Sequence, residues 1–201
     1  MRVALFDYGA GNIHSLGKGL SAAGARVEVT DDWDAALGRD ALVLPGVGAF
    51  GQAASALPDD LTPLREALEG GLPCLGICLG MQLLFPSSEE SEGRGIGLVP
   101  GRVELLQADV VPQMGWNDVD TGPDPIFEGI DGLVAYYANS YICRPDVEAD
   151  AIAWSEYGGG RFTAAVRRAN AWGVQFHPEK SSDAGRRLLG NWVALAREVV
   201  R

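Results

Sequence analysis

Three short runs in this chain are apolar at nearly every position, and they constrain the fold more than any other feature. They are Val3–Phe6 within Arg2–Asp7, Ala41–Leu44, and Leu72–Cys78. A strand with no polar face is covered on both sides, which is the situation of strands in parallel sheets flanked by helices. The segments between these runs carry helical spacing. Asn12–Ala23 places Ile13, Leu16, Leu20 and Ala23 on one face and is stopped by Gly24; Asp31–Gly38, Leu61–Glu69 and Leu79–Phe85 read as further helices. Ala25–Thr30 alternates like a strand. Strands separated by helices of this length require right-handed crossovers. The second half changes to strand-like runs at Val103–Leu106, Gly115–Val119, Leu133–Tyr141, Ile152–Tyr157, Phe162–Arg167 and Trp172–Phe176, with a hairpin turn at Gly158-Gly159-Gly160. Ser181–Val200 closes the chain as an amphipathic helix. The expectation is one α/β domain over residues 1–201, with a mixed, mostly parallel central sheet flanked by helices.

Composition narrows the function. The chain has 201 residues, of which 47% are hydrophobic, with 16 Lys+Arg against 27 Asp+Glu and a net charge of −11. That apolar share suits a packed core and argues against disorder. The acidity argues against nucleic acid and anionic membrane as partners, since both demand neutralising Lys and Arg. Asp7 interrupts the first apolar run too early for a signal peptide. Three cysteines do not make a disulfide framework and suit a cytoplasmic chain with free thiols, and two histidines leave little for a zinc site. No metal and no cofactor are expected.

The sharpest local motif is Gly76-Ile77-Cys78-Leu79-Gly80, where a buried strand meets a helix. It has the form of a nucleophile elbow with Cys in place of Ser, and a helix N-terminus behind the sulfur favours thiolate over thiol. A thiol nucleophile needs a base, and the base needs an orienting group. His177 follows a strand, and Glu179 stands two residues on, beyond Pro178. His14, the other histidine, has polar neighbours and ranks below it. Pro45-Gly46-Val47-Gly48-Ala49-Phe50-Gly51 is a Gly-rich turn that can aim backbone N–H groups at a developing oxyanion, and it lacks the Lys-Ser/Thr of a phosphate loop. Cys74 reads as core, Cys143 as an inert thiol, and Tyr136-Tyr137…Tyr141 as strand packing.

In this order, the Gly-rich turn, G-x-C-x-G and H-P-E resemble the class I (triad) glutamine amidotransferases over essentially the whole chain. Asp7-Tyr8-Gly9-Ala10-Gly11-Asn12, Met114-Gly115-Trp116-Asn117 and Gln175-Phe176-His177-Pro178-Glu179-Lys180-Ser181 narrow the resemblance to the glutaminase subunits of imidazole glycerol phosphate synthase. The resemblance implies a flavodoxin-like fold and a triad in which Cys78 attacks L-glutamine, His177 shuttles the proton and Glu179 orients His177. It implies oxyanion donors near Val47 and Leu79 within a substrate set of Gly46, Val47, Gly48, Leu79, Gln82, Glu90, Ser140 and Tyr141, with Glu89 and Glu92 competing for the place of Glu90. It also implies a heterodimer with a (β/α)8-barrel synthase subunit, which takes the ammonia and makes imidazole glycerol phosphate and aminoimidazole carboxamide ribonucleotide in histidine biosynthesis. The partner face would carry Asn12, Trp116, Asn117, Tyr136 and Lys180. At two positions the chain departs from the family's usual histidine, with Gln113 after Pro112 and Asn139 before Ser140-Tyr141.

Overall fold

A computed structural model of the chain describes residues 1–9 and 13–200. Asn12, expected at the partner face, lies outside the described residues. In chain order the elements are β1 (Arg2–Phe6), α1 (Ile13–Ala22), β2 (Arg26–Thr30), α2 (Trp33–Leu37), β3 (Ala41–Leu44), α3 (Phe50–Ala54), α4 (Thr62–Glu69), β4 (Cys74–Ile77) and α5 (Leu79–Leu83). Then come β5 (Gly101–Leu105), β6 (Gln113–Asp118), β7 (Asp120–Thr121), β8 (Val134–Asn139), β9 (Tyr141–Pro145), β10 (Ala151–Tyr157), β11 (Gly160–Arg168), β12 (Ala171–Val174) and α6 (Ser182–Val199).

The main sheet runs β2-β1-β3-β4-β12-β11-β10-β7. From β2 to β12 every neighbouring pair is parallel, and β11, β10 and β7 continue the sheet antiparallel. The continuous apolar runs are explained by burial on two faces. Val3, Leu5, Val43, Leu75 and Ile77 pack with α1 and α6 through Leu16, Leu20, Leu188, Trp192 and Val193. Ala4, Phe6, Leu42, Leu44 and Cys74 point the other way, towards Ala36, Phe50, Leu64, Leu68 and Leu83 of the helices α2–α5. Strand β2 stays at the edge, so Val29 is exposed and the run alternates.

Three expectations need correction. Leu133–Tyr141 is not one strand: it breaks at Ser140, β8 pairing only with β6 in a separate two-stranded sheet while β9 pairs with β5 and β11. The Gly-rich segment after β3 includes a short helix, α3, and the strand expected at Trp172–Phe176 ends at Val174.

The small β6–β8 sheet is pinned to the main sheet through Tyr137, which is fully buried, with Phe162 and Phe176 each at 5.8 Å between ring centroids. Ser155 Oγ donates to the Asp118 carbonyl at 2.7 Å, so the Tyr137 hydroxyl at 2.6 Å donates to Ser155. Tyr137→Phe keeps the rings and removes one buried hydrogen bond, and is expected to lower stability by about 1 kcal/mol in urea unfolding. Tyr137→Ala opens a cavity as well and is expected to cost about 3–5 kcal/mol. Equal losses for the two variants would assign the anchoring to the hydroxyl rather than the ring.

Candidate active site

Strands β3, β4 and β12 lie side by side, and their C-terminal ends converge on Cys78. Ligands of open α/β sheets bind in this crevice. Cys78 forms the one-residue junction between β4 and α5, at φ 52° and ψ −105°. A non-glycine residue in that region is strained by about 1–3 kcal/mol and persists only where its surroundings dictate it. Here they do. The Cys78 N–H donates to the Val174 carbonyl of β12 at 2.7 Å, and its own carbonyl accepts from Gln82 N at 3.1 Å. A Cβ on Gly80 would fall on the Leu44 carbonyl oxygen of β3, and one on Gly76 would strike the Gly80 carbonyl at 2.5 Å. The motif's two glycines are therefore set by backbone-to-backbone contact.

The sulfur sits at the wall of a cavity of about 150 Å³ lined by Val47, Gly48, Cys78, Leu79, Gln82, Glu90, Ala138, Asn139, Ser140 and Tyr141. Larger clefts exist, such as one of about 340 Å³ along β6, β10 and β11, but its lining offers neither thiol nor imidazole. The cavity brings together seven of the eight residues expected to hold substrate. Gly46 is the exception: it is buried outside the lining, and a Cβ there would meet the Leu79 Cβ at 2.6 Å, so it serves close packing. Of the three neighbouring acids, Glu90 lines the cavity and caps α3 by accepting from Phe50 N at 2.6 Å. Glu89 accepts from Leu105 N instead, and Glu92 is exposed.

His177 follows β12 and is 2% exposed. Its Nδ1 lies 3.0 Å from Glu179 Oε1, while Nε2 is buried and makes no hydrogen bond of ordinary geometry. Burial alone would pull the imidazole pKa down. Interaction with the Cys78 side chain, and then with Glu179, outweighs burial, and the pKa is pushed up to about 9 from 6.5. The Cys78 side chain is therefore close enough to the imidazole to favour its charged form. Cys74 and Cys143 are fully buried and their pKa values are pushed up by burial. His14 is exposed in a separate cleft with Asp7 and Lys18.

The expected partner residues divide. Trp116, 53% exposed, meets Tyr136 edge to face at 6.1 Å, and Lys180 Nζ lies 5.5 Å from the Tyr136 ring centroid. Asn117 points to the opposite face of β6, where its Nδ2 donates to the Glu156 carbonyl at 2.9 Å. Met114, 62% exposed and two residues before Trp116, shares Trp116's face and was missed, although the period-two spacing signals it. Gln113 and Asn139, the two departures from the family pattern, are cross-strand partners, both buried, with Oε1 and Oδ1 unpartnered. Sequence reasoning also missed Gln175, fully buried, whose Nε2 lies 3.5 Å from Cys78 Sγ.

A family model, Glutamine amidotransferase class-I, matches residues 4–195. The Imidazole glycerol phosphate synthase subunit HisH of Streptomyces avermitilis is 41% identical over 206 aligned positions, covering 96% of this chain and 95% of the relative. That of Natronomonas pharaonis is 45% identical, covering 95% and 93%. A crystal structure of a glutamine amidotransferase shares the fold at a TM-score of 0.77 and 19% identity, covering 97% of this chain and 98% of the other. PurLQS from Thermotoga maritima does so at 0.76 and 19%, covering 96% and 98%. The resemblance drawn from the sequence and its fold class are both borne out.

Two outcomes follow from the geometry. Gly80→Ala is expected to destabilise the chain by more than about 3 kcal/mol in chemical denaturation, since backbone rather than a movable side chain blocks the new methyl; a loss within the range of a surface substitution would contradict the contact. The raised His177 pKa stabilises the fold fully below about 6.5, and that contribution disappears as pH rises through about 9. In an NMR titration Glu179→Gln is expected to lower the His177 midpoint by about one unit or more. An unchanged midpoint would mean that Glu179 does not hold the imidazolium.

Proposed function

The chain belongs to the class-I glutamine amidotransferase family, and from that premise we infer the roles of the residues around Cys78. The protein hydrolyses L-glutamine to L-glutamate and ammonia and supplies the ammonia to a synthase subunit in histidine biosynthesis. Residues 1–201 act as one glutamine amidotransferase domain in the cytoplasm. The Cys78 thiolate attacks the carboxamide carbon, and the π pair moves to the carbonyl oxygen, which is met by the N–H groups of Val47 and Leu79. As the carbonyl re-forms, the C–N bond breaks and His177 gives its proton to the departing ammonia. The resulting γ-glutamyl thioester is cleaved by water, with His177 taking the water's proton. Glu179 keeps Nδ1 protonated and Nε2 turned to the sulfur. Gln82, Glu90, Ser140 and Tyr141 hold the amino-acid end of the substrate.

The observation that carries this reading is the strained Cys78 junction beside a buried His177–Glu179 pair. The reading of the partner rests on a second one. Tyr136 accepts from His177 N at 2.8 Å and donates to Ser181 Oγ at 3.0 Å, while its ring contacts Trp116 and Lys180 at the surface. A (β/α)8-barrel synthase subunit seated on Met114, Trp116, Tyr136 and Lys180 would seal the ammonia from water, where most of it becomes ammonium. It would also press on the residue that holds the His177 backbone. Asn117 supports this face from behind.

Glutaminase assays with and without the synthase subunit and its nucleotide test this. Low activity alone and strong stimulation in the complex are expected. Cys78→Ala should abolish turnover, while Cys74→Ala and Cys143→Ala retain it. Trp116→Ala and Lys180→Ala should weaken stimulation and leave the fold intact. Turnover in Cys78→Ala would refute the thioester, and full activity of the isolated wild type would refute the coupling.

A further inference from the structure

Gln175 precedes the His-Pro-Glu segment and has no role in the mechanism above. Its side chain is fully buried, and its backbone N–H is committed to the Ala164 carbonyl of β11 at 2.8 Å. Both ends of its amide are in use. Nε2 faces Cys78 Sγ at 3.5 Å, and Oε1 lies 3.4 Å from Gln82 Nε2. Gln82 Nε2 is also 3.3 Å from the Tyr141 backbone carbonyl. The orientation of this chain is chemically determined. A backbone carbonyl only accepts, so Gln82 must turn its NH2 towards Tyr141. Gln175 must then offer its oxygen to that NH2, which leaves its own NH2 for the sulfur.

A neutral thiol is a weak acceptor, and a buried amide N–H given only a thiol is poorly satisfied. A thiolate in the same place accepts a charge-assisted bond. Resting on the assignment of Cys78 as nucleophile, we infer that Gln175 is a further catalytic group, an amide donor to the Cys78 thiolate held in orientation by Gln82 and Tyr141. In the acylation step the sulfur's electron pair forms the C–S bond and the π pair goes to oxygen, so the Gln175 bond weakens. In deacylation water's oxygen adds, the C–S bond breaks, and the pair returns to a sulfur that Gln175 receives. The donor therefore assists departure of the thiolate from the thioester as well as its formation from the thiol. Because Gln82 also lines the substrate cavity, its side chain connects that cavity to the nucleophile through Gln175.

The ionisable groups around the sulfur are His177 and Glu179 after β12, Cys143 on β9, and Glu90 and Tyr141 in the cavity wall. Gln175→Met and Gln175→Glu leave all of them in place. The test follows iodoacetamide alkylation of Cys78 by peptide mass spectrometry across pH in the full chain, together with kcat and KM for glutamine in the synthase complex. Gln175→Met is expected to move the alkylation midpoint up and lower kcat about 10- to 100-fold, the worth of a hydrogen bond to a charged group, with KM moving far less. Gln175→Glu, the same shape with a charge in place of the donor, is expected to move the midpoint further and carries the test if Gln175→Met does not fold. A midpoint unchanged in the folded variants overturns the inference and leaves the nucleophile assignment standing. Wild-type protein alkylated at Cys78 that still hydrolyses glutamine overturns the nucleophile assignment, and the inference falls with it.

Discussion

The passage of α5 against β3, with Gly80 lying on the Leu44 carbonyl, is the contact from which the site is built. Because no side chain separates the two backbones there, the helix must start immediately after Cys78, and Cys78 must take up its left-handed backbone conformation. The sulfur is thereby lifted from the plane of the sheet to the C-terminal edge, beside the end of β12. Register does the rest: β4 and β12 pair Ile77 with Val174, so Gln175 and His177 emerge within reach of the thiol. The parallel strands β1, β3, β4 and β12 on which this junction stands are almost wholly buried.

The second organising feature is Tyr136. Strand β8 belongs to the small sheet, yet its Tyr136 carbonyl holds the His177 N–H, and Ser181 Oγ donates to the His177 carbonyl at 2.6 Å while accepting from Tyr136 N. The backbone of His177 is therefore tied to the residue whose ring occupies the exposed face. A displacement of β8 at the surface has a short, hydrogen-bonded route to the imidazole. On the opposite face of the same small sheet, Gln113 and Asn139 sit as cross-strand partners, and Asn139 reaches the cavity wall. Two substitutions that look independent along the chain are one local environment in space.

Much of this was legible in the sequence, for reasons tied to burial and spacing. Runs apolar on both faces announced β1, β3 and β4, and G-x-C-x-G announced the elbow because only glycine tolerates the contacts made there. His177 and Glu179 were visible as a local pair. What escaped depends on pairing across long separations. Asn139-Ser140 is a short polar step between two strand-like apolar runs, and nothing local to it announces that the chain changes sheet there. The helix at Phe50–Ala54 contains Gly51 and begins in a Gly-rich segment, which hid it. Gln175 was legible as the start of the His-Pro-Glu motif but without a role, because its partners, Cys78 and Gln82, are more than 90 positions away.

The direct test is to capture the covalent intermediate. Protein turning over glutamine is quenched in acid, digested and analysed by mass spectrometry for a γ-glutamyl group, with the synthase subunit and its nucleotide present. The mechanism requires the adduct on the peptide bearing Cys78, and its loss in Cys78→Ala. Steady hydrolysis with the adduct absent, or with the adduct on the peptide of Cys74 or Cys143, would contradict it.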